Sequence, residues 1–442
     1  MKIITEMHRS GTSLMARMRF GSIKLTDKIW LIVGIGMAFH ILMATYSFYA
    51  GRIKVWEYNE LAINIASGKG FVIQHLSTNY YAFCMPLYSF LCSLVYKLFG
   101  VTEYGVLIFQ ILLSGIHSII IFLIGEKIFN KRVALLSASM FFFIPGLTYY
   151  NVVNLHSLAL DSLFISFICY LSIRIRENFT VNNCLIYGFF SGLGFLSRGT
   201  VVAMVMSSFS YFLITRHIYD KQFNKMQISR RILPLIFVIM AFIVTISPWI
   251  MRNSLIFGKF VTVSLASELL WRGNNPVSIG TSYTTNGKTV ISTISQNTLS
   301  KLKNSTEIEQ GKIFMDLFKS YVYNYPLKFI KYLAVKVYYF WSFSPSTGIS
   351  YAGGLTLLYK IYYATLFFFF LIGTAFVVQK NRLNHPIILI ILQCFSISLL
   401  QSVFYVEGRH RFALEPMMML IAINYFMSFI DKIWKNDKVG LA

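Results

Sequence analysis

Charge is scarce in this chain. Of its 442 residues only 13% are Asp, Glu, Lys or Arg, about half the ~25% usual in a soluble domain. That leaves too little polar surface to coat a water-soluble globule of this size. Acids are scarcer still, 17 against 40 Lys and Arg, for a formal net charge of +23. Cysteine is limited to five positions, 84, 92, 169, 184 and 394. They show no CxxC or similar metal-ligand spacing, and most lie in or beside apolar runs, where the thiol packs as a small apolar group. The chain also lacks a G-x-x-x-x-G-K-[ST] loop, a GxSxG elbow and an HExxH pair. ATP-driven transport and simple hydrolase chemistry therefore lose their usual signatures. No internal repeat is visible.

What the chain has in quantity is apolar surface. Hydrophobic residues make up 56%, aromatics 17% with 41 Phe, and the mean hydropathy is +0.61. Apolar runs of about 17–25 residues recur, each long enough to cross a bilayer. The basic residues gather in short segments between these runs, a pattern that sets membrane topology. The positive charge therefore does not point to nucleic acid.

The basic segments are 1–28, 126–132, 174–177, 216–231, 380–382 and 431–438. Placing all of them on the cytoplasmic side predicts ten spans, near 29–49, 104–125, 133–149, 157–173, 183–198, 200–215, 232–250, 356–378, 385–404 and 413–430. The expected fold is therefore an all-α integral membrane protein with about ten transmembrane helices and both termini cytoplasmic. Residues 1–28 carry six Lys/Arg and no small-residue cleavage site follows the first apolar run, so they read as a basic cytoplasmic segment rather than a cleaved signal. Two apolar stretches are kept out of the span count. Residues 86–99 are short and begin at Pro86. Residues 327–343 carry Lys328, Lys331 and Lys336 with aromatics opposite, which suits an amphipathic helix in the interface. The expected division is a core of seven spans over 29–250 with a first outer loop at 50–103, a second outer region at 251–355, and three further spans with a short tail over 356–442.

Charges near membrane depth are costly and mark candidate sites. The first loop carries Glu57 beside Tyr58, a carboxylate between aromatics suited to act as a base or a metal ligand; from spacing alone an ordinary acidic helix start is the better reading. Beyond the seventh span come Arg252 and then the stretch Trp271, Arg272, Gly273, Asn274, Asn275. The two arginines could grip phosphate through forked donors or serve as snorkelling anchors. Between the last two spans lie Glu407, Arg409, His410, Arg411 and Glu415. Arg409 and Arg411 could contact one phosphate from a short turn, or form a salt-bridge cluster with the two acids. Asp161 stands near the start of the fourth span, with Asn154 and His156 before it, and Arg198 at the turn after the fifth.

Taken in order, these segments resemble the polytopic GT-C glycosyltransferases, in particular the family-39-type branch related to protein O-mannosyltransferases and the lipid A aminoarabinose transferase. The resemblance rests on WEYNELAINIASGKGF at 56–71, PLYSFLCSLVYKLFG at 86–100, PWIMRNSLIFG at 248–258, RGNNP at 272–276 and EGRHRFALEP at 407–416. Ser89 stands where the family has a second proline. The resemblance implies a GT-C-type fold and an enzyme that moves a hexose or pentose from a polyprenyl-phosphate donor to a lipid, glycan or protein acceptor, at the outer face of a bacterial cytoplasmic membrane. It implies Glu57 as catalytic base or metal-proximal acid. It implies substrate contacts from Tyr58, Asp161, Arg198, Arg252, Trp271, Asn274, Asn275, Arg409 and Arg411. No cofactor is specified; a divalent metal beside the first-loop acid stays open, because Glu57 stands alone where relatives often carry Asp or an Asp-Glu pair. The partners implied are the lipid-linked donor, its acceptor and membrane lipids, and no nucleic acid. A flippase of lipid-linked saccharide, or a polymerase or ligase of surface polysaccharide, would share the substrates.

Overall fold

A computed structural model describes residues 27–219, 228–343, 345, 353–379 and 386–439. Nearly all of the 1–28 segment, the loop 220–227 and the basic loop 380–382 lie outside the described residues. Apolar stretches fold into helices because a backbone without water must satisfy its own N–H and C=O groups. Helix α1 is Asp27–Tyr49. A two-residue strand β1 (Lys54–Val55) leads into α2 (Glu57–Ala66). A small antiparallel hairpin, β2 (Ile73–His75) and β3 (Thr78–Tyr80), precedes α3 (Leu87–Phe99). Then come α4 (Glu103–Ile128), α5 (Lys131–Phe141), α6 (Pro145–Val153), strand β4 (Asn154–Leu155), α7 (Leu158–Glu177), α8 (Val181–Ser197), α9 (Val201–Tyr219) and α10 (Ile228–Phe257). The long connection that follows holds α11 (Ala266–Arg272), α12 (Gln296–Lys303), α13 (Glu307–Asn324) and α14 (Pro326–Trp341). The chain closes with α15 (Gly353–Gln379), α16 (Pro386–Val403), the short α17 (Arg409–Phe412) and α18 (Glu415–Val439).

A helix occupies each of the ten expected spans. Among the described residues, seven are long and apolar enough to cross a membrane, in α1, α4, α7, α10, α15, α16 and α18. The expected span 133–149 is instead the pair α5 and α6, bent by 46°, and counting it as one span gives eight. The break falls just before Pro145, which cannot donate to the preceding turn and takes the first position of α6. Helix α8, with 17 residues, is about 25 Å long, short of a ~30 Å hydrocarbon core. The chain is an all-α, multi-pass membrane protein.

Helix α7 is central, with apolar residues buried on all sides and small serines (Ser162, Ser166, Ser172) between them. Helices α8 and α10 pack closely because Gly188 and Gly192, four apart, have no side chain. A Cβ at Gly188 would meet the Val238 carbonyl at 2.3 Å, and one at Gly192 would meet Thr245 at 2.6 Å, the small-residue contact that lets membrane helices approach.

The two stretches kept out of the span count form α3 and α14, with 13 and 16 residues. Both turn an apolar stripe outward, Phe90, Leu94 and Leu98 on α3 and Leu327, Ile330 and Tyr338 on α14. The three lysines of α14 do not form the expected single exposed face, since only Lys328 and Lys331 reach the surface. Lys336 points inward and is fully buried, donating to Asn274 Oδ1 (2.7 Å) and to the Val403 (3.4 Å) and Phe404 (2.8 Å) carbonyls. Three acceptors match its three protons.

Candidate functional site

The site begins at a two-residue parallel bridge. Strand β1 pairs with β4, Lys54 opposite Asn154 and Val55 opposite Leu155. Both strands are followed at once by site residues, Trp56–Glu57–Tyr58 on one side and His156–Ser157 on the other. A buried glutamine on α4 fixes this joint. Gln110 Nε2 donates to the carbonyls of Tyr150 (3.3 Å), Asn151 (3.2 Å) and Asn154 (3.0 Å), while its Oε1 accepts the Tyr88 hydroxyl and the His156 N–H. Trp56 Nε1 donates to Asn154 Oδ1 (3.2 Å), and its ring meets His156 edge-on at 5.0 Å. Tyr58 packs edge-on against both Tyr88 and His156 at 5.3 Å.

Glu57 opens α2 and is half-buried. Its carboxylate has no hydrogen bond or ion pair to any described residue. Its charge is nonetheless felt by three neighbours. Burial pushes the Tyr58 hydroxyl and the Cys84 thiol well up, and the Glu57 charge pushes both further. Arg272, on α11, lies within reach of the same charge.

Three arginines surround this carboxylate's end of the bundle. Arg272 is mounted by Glu268, which takes both its Nε (2.9 Å) and its Nη2. Glu268 is in turn held by His75 at 2.8 Å. Burial opposes the Glu268 charge, but the His75 hydrogen bond and the Arg272 guanidinium outweigh it and hold the carboxyl below its usual value. Arg272 Nη1 is left without a protein partner among the described residues. Arg198 gives Nη1 to Asp161 (3.3 Å) and is a quarter exposed. Asp161 itself is 1% exposed and also accepts from Ser157 (2.8 Å) and Ser197 (2.6 Å). It therefore positions Arg198 rather than offering an open carboxylate. Arg409 lies over the Trp56 ring at 4.9 Å and pairs with Glu407 at 2.9 Å. Burial works against its charge, and Glu407 and Tyr405 more than restore it.

Five of the residues read from sequence as substrate contacts place their polar atoms or rings on the protein instead. Arg411 donates to the Phe340 (2.8 Å) and Ser342 (2.6 Å) carbonyls and the Tyr359 hydroxyl (2.6 Å), over the Tyr363 ring at 3.5 Å. Residues two apart on a helical turn face opposite ways, so Arg409 and Arg411 do not share one phosphate. Arg252 donates to the carbonyls of Tyr81 (2.6 Å) and Phe71 (3.1 Å). Asn274 bonds the Leu270 and Val403 carbonyls besides Lys336, and Asn275 closes the following turn by accepting from Val277 and Ser278. Trp271 is buried against Phe314 at 5.4 Å. The structure brings Tyr58, Asp161, Arg198 and Arg409 to the end of the bundle that holds Glu57, together with Arg272, His156 and His410 from the same sequence segments. The last two carry no local sequence signal beyond their neighbours. Among the described residues no group of three His, Cys, Asp or Glu could hold a metal ion.

Residues 85–251 match the family model described as dolichyl-phosphate-mannose-protein mannosyltransferase. No curated protein matches the chain. Among solved structures it is similar to the oligosaccharyltransferase AglB from Archaeoglobus fulgidus in complex with an inhibitory peptide and a dolichol-phosphate, at 12% identity and TM-score 0.49 over 92% of this chain and 51% of that one. It is also similar to ArnT from Cupriavidus metallidurans bound to undecaprenyl phosphate, at 11% identity and TM-score 0.44 over 91% of this chain and 78% of that one. The chain thus spans about half the length of the oligosaccharyltransferase.

Proposed function

We propose that this protein is a membrane glycosyltransferase of the GT-C type. It moves a sugar from a polyprenyl-phosphate donor to a hydroxyl of a lipid, glycan or protein acceptor, at the outer face of a bacterial cytoplasmic membrane. The observation that carries the reading is the unpartnered carboxylate of Glu57, set within reach of Arg272 at the end of the bundle where Arg198 and Arg409 also gather. The family-model match over 85–251 supports the same reaction class.

The chemistry follows from these groups. Glu57 takes the proton of the acceptor hydroxyl. The oxygen attacks the anomeric carbon, and the bond from that carbon to the phosphate oxygen breaks. Polyprenyl phosphate leaves with the negative charge, which the arginines meet without reorganising. The lipid tail stays in the apolar phase while its phosphosugar reaches the polar end of the bundle. In this reading the basic loops and both termini are cytoplasmic, residues 50–103 and 251–355 are outer regions carrying the site, and the spans over 29–250 and 356–430 frame it. A flippase would need charges along its path, yet the stretches 104–125, 162–173, 361–379, 386–403 and 416–430 contain none.

The test is sugar transfer in proteoliposomes from a panel of radiolabelled polyprenyl-phosphate sugars to cell-envelope acceptors. Wild-type protein should transfer one of them and Glu57→Gln should not. No transfer from any donor in the panel, or full activity of Glu57→Gln, overturns the assignment.

A further inference from the structure

Two histidines lie near Arg198 and Arg409, and both are wired to the chain through the same ring nitrogen. The backbone N–H of Leu158 donates to His156 Nδ1 at 3.1 Å, and the backbone N–H of Glu407 donates to His410 Nδ1 at 3.2 Å. A ring nitrogen that accepts an N–H carries a lone pair and no proton, so each neutral ring keeps its proton on Nε2. A metal-bound histidine is wired the other way. Its free nitrogen donates to a carboxylate or carbonyl, leaving the lone pair for the metal. Here the lone pair is already used by the chain, and the outward atom is a donor.

The surroundings agree. Burial lowers both imidazoles well below their usual value, and Arg198 and Arg409 lower both further. Both rings therefore stay neutral, and cations crowd the place where a divalent ion would have to sit. The remaining thiol and carboxylate do not repair the donor set. Cys84 is pushed up by burial and by Glu57 and keeps its proton, and no trio of ligands forms among the described residues.

We infer that this site holds the donor's phosphate without a divalent metal, through the Nε2–H groups of His156 and His410 together with the guanidiniums of Arg198 and Arg409. The inference rests on the transferase reading for the identity of the anion, but its geometry needs only a phosphate monoester. Neutral N–H donors and fixed cations stabilise a phosphate oxygen throughout the reaction and leave Glu57 free for the acceptor proton.

The experiment measures binding of farnesyl phosphate to the purified full-length chain by titration calorimetry, with and without chelator. Expected is the same Kd, within about twofold, in EDTA and in millimolar Mn²⁺ or Mg²⁺. His156→Asn keeps an oxygen to accept the Leu158 N–H but loses the outward donor, and should weaken binding about tenfold or more. His156→Gln keeps a donor near the Nε2 position and should bind within about threefold of wild type. Binding lost in EDTA and restored by Mn²⁺ overturns the inference, as does equal binding by the Asn variant and wild type. If farnesyl phosphate binds as expected while no polyprenyl-phosphate sugar is ever transferred, the transferase reading falls and the phosphate site stands.

Discussion

Two polar regions meet at the same end of the bundle, and they treat their charges differently. Around α14 and the end of α10, Lys336, Arg252 and Arg411 give most of their donors to the protein itself, chiefly to backbone carbonyls. Lys336 is spent on Asn274 and two carbonyls, Arg252 on Tyr81 and Phe71, and Arg411 on Phe340 and Ser342. Around Glu57 the donors are mounted but not exhausted. Glu268 aims Arg272 and leaves Nη1 over, Asp161 holds Arg198 by one nitrogen, and both histidines keep an outward N–H. Saturated polar groups hold loops in place, whereas left-over ones are available to a ligand.

The comparison can be broken most sharply at Glu57. Exchanging it for Gln should lower the transfer rate about 10²–10⁴-fold, the usual size of a lost general base. The unfolding midpoint in detergent should not move, because the carboxylate supports nothing. Next in size is the contrast between arginines. Arg409→Gln should weaken phosphate-probe binding about tenfold or more. Arg252→Gln should leave binding alone and destabilise the fold by about 1–3 kcal/mol, since two carbonyls lose their donor. The reverse pattern in calorimetry and thermal melts would erase the distinction between the two regions.

Lys336 offers a pH test of the saturated side. Burial pushes its ammonium down to about 7, against 10.5 in an unfolded chain. Between those values the unfolded chain binds more protons than the folded one, so stability should rise with pH across that window and level off above it. Lys336→Met should flatten that rise in scanning fluorimetry at a series of pH values. The smallest effect expected is at Glu268, whose carboxyl is held below its usual value. Its contribution should be complete above the ordinary value near 4.5 and be lost as pH falls below it. In Glu268→Gln that acid loss should disappear.

Much of the helical framework is readable from hydropathy alone, since long apolar runs have one structural outcome in lipid. The broken α5–α6 pair is readable only in hindsight from Pro145. The inward turn of Lys336 is not readable, because its acceptors at Asn274 and at 403–404 come from distant parts of the chain. In the site, Arg198 pairs with Asp161 and Arg409 lies over Trp56, next in sequence to Glu57, so residues of separate motifs meet at one end of the bundle. The separate fates of Arg409 and Arg411 are half legible, since a spacing of two on a helix turns them apart. The silence of Arg252 is not legible, because the carbonyls that occupy it belong to residues 71 and 81. The tautomers of His156 and His410 depend on backbone N–H groups whose direction no local pattern announces.

The bridge between β1 and β4 is only two residues long, yet it ties Glu57 and His156, the proton acceptor and an anion donor of the proposed reaction, to one joint. Glu57 leaves one strand of that bridge as His156 leaves the other. If α1 tilts against α6 and α7 as a lipid-linked donor enters, the carboxylate and the imidazole are carried together. In the proposed reaction that shared joint sets their separation, a gauge that the donor's sugar has to fit.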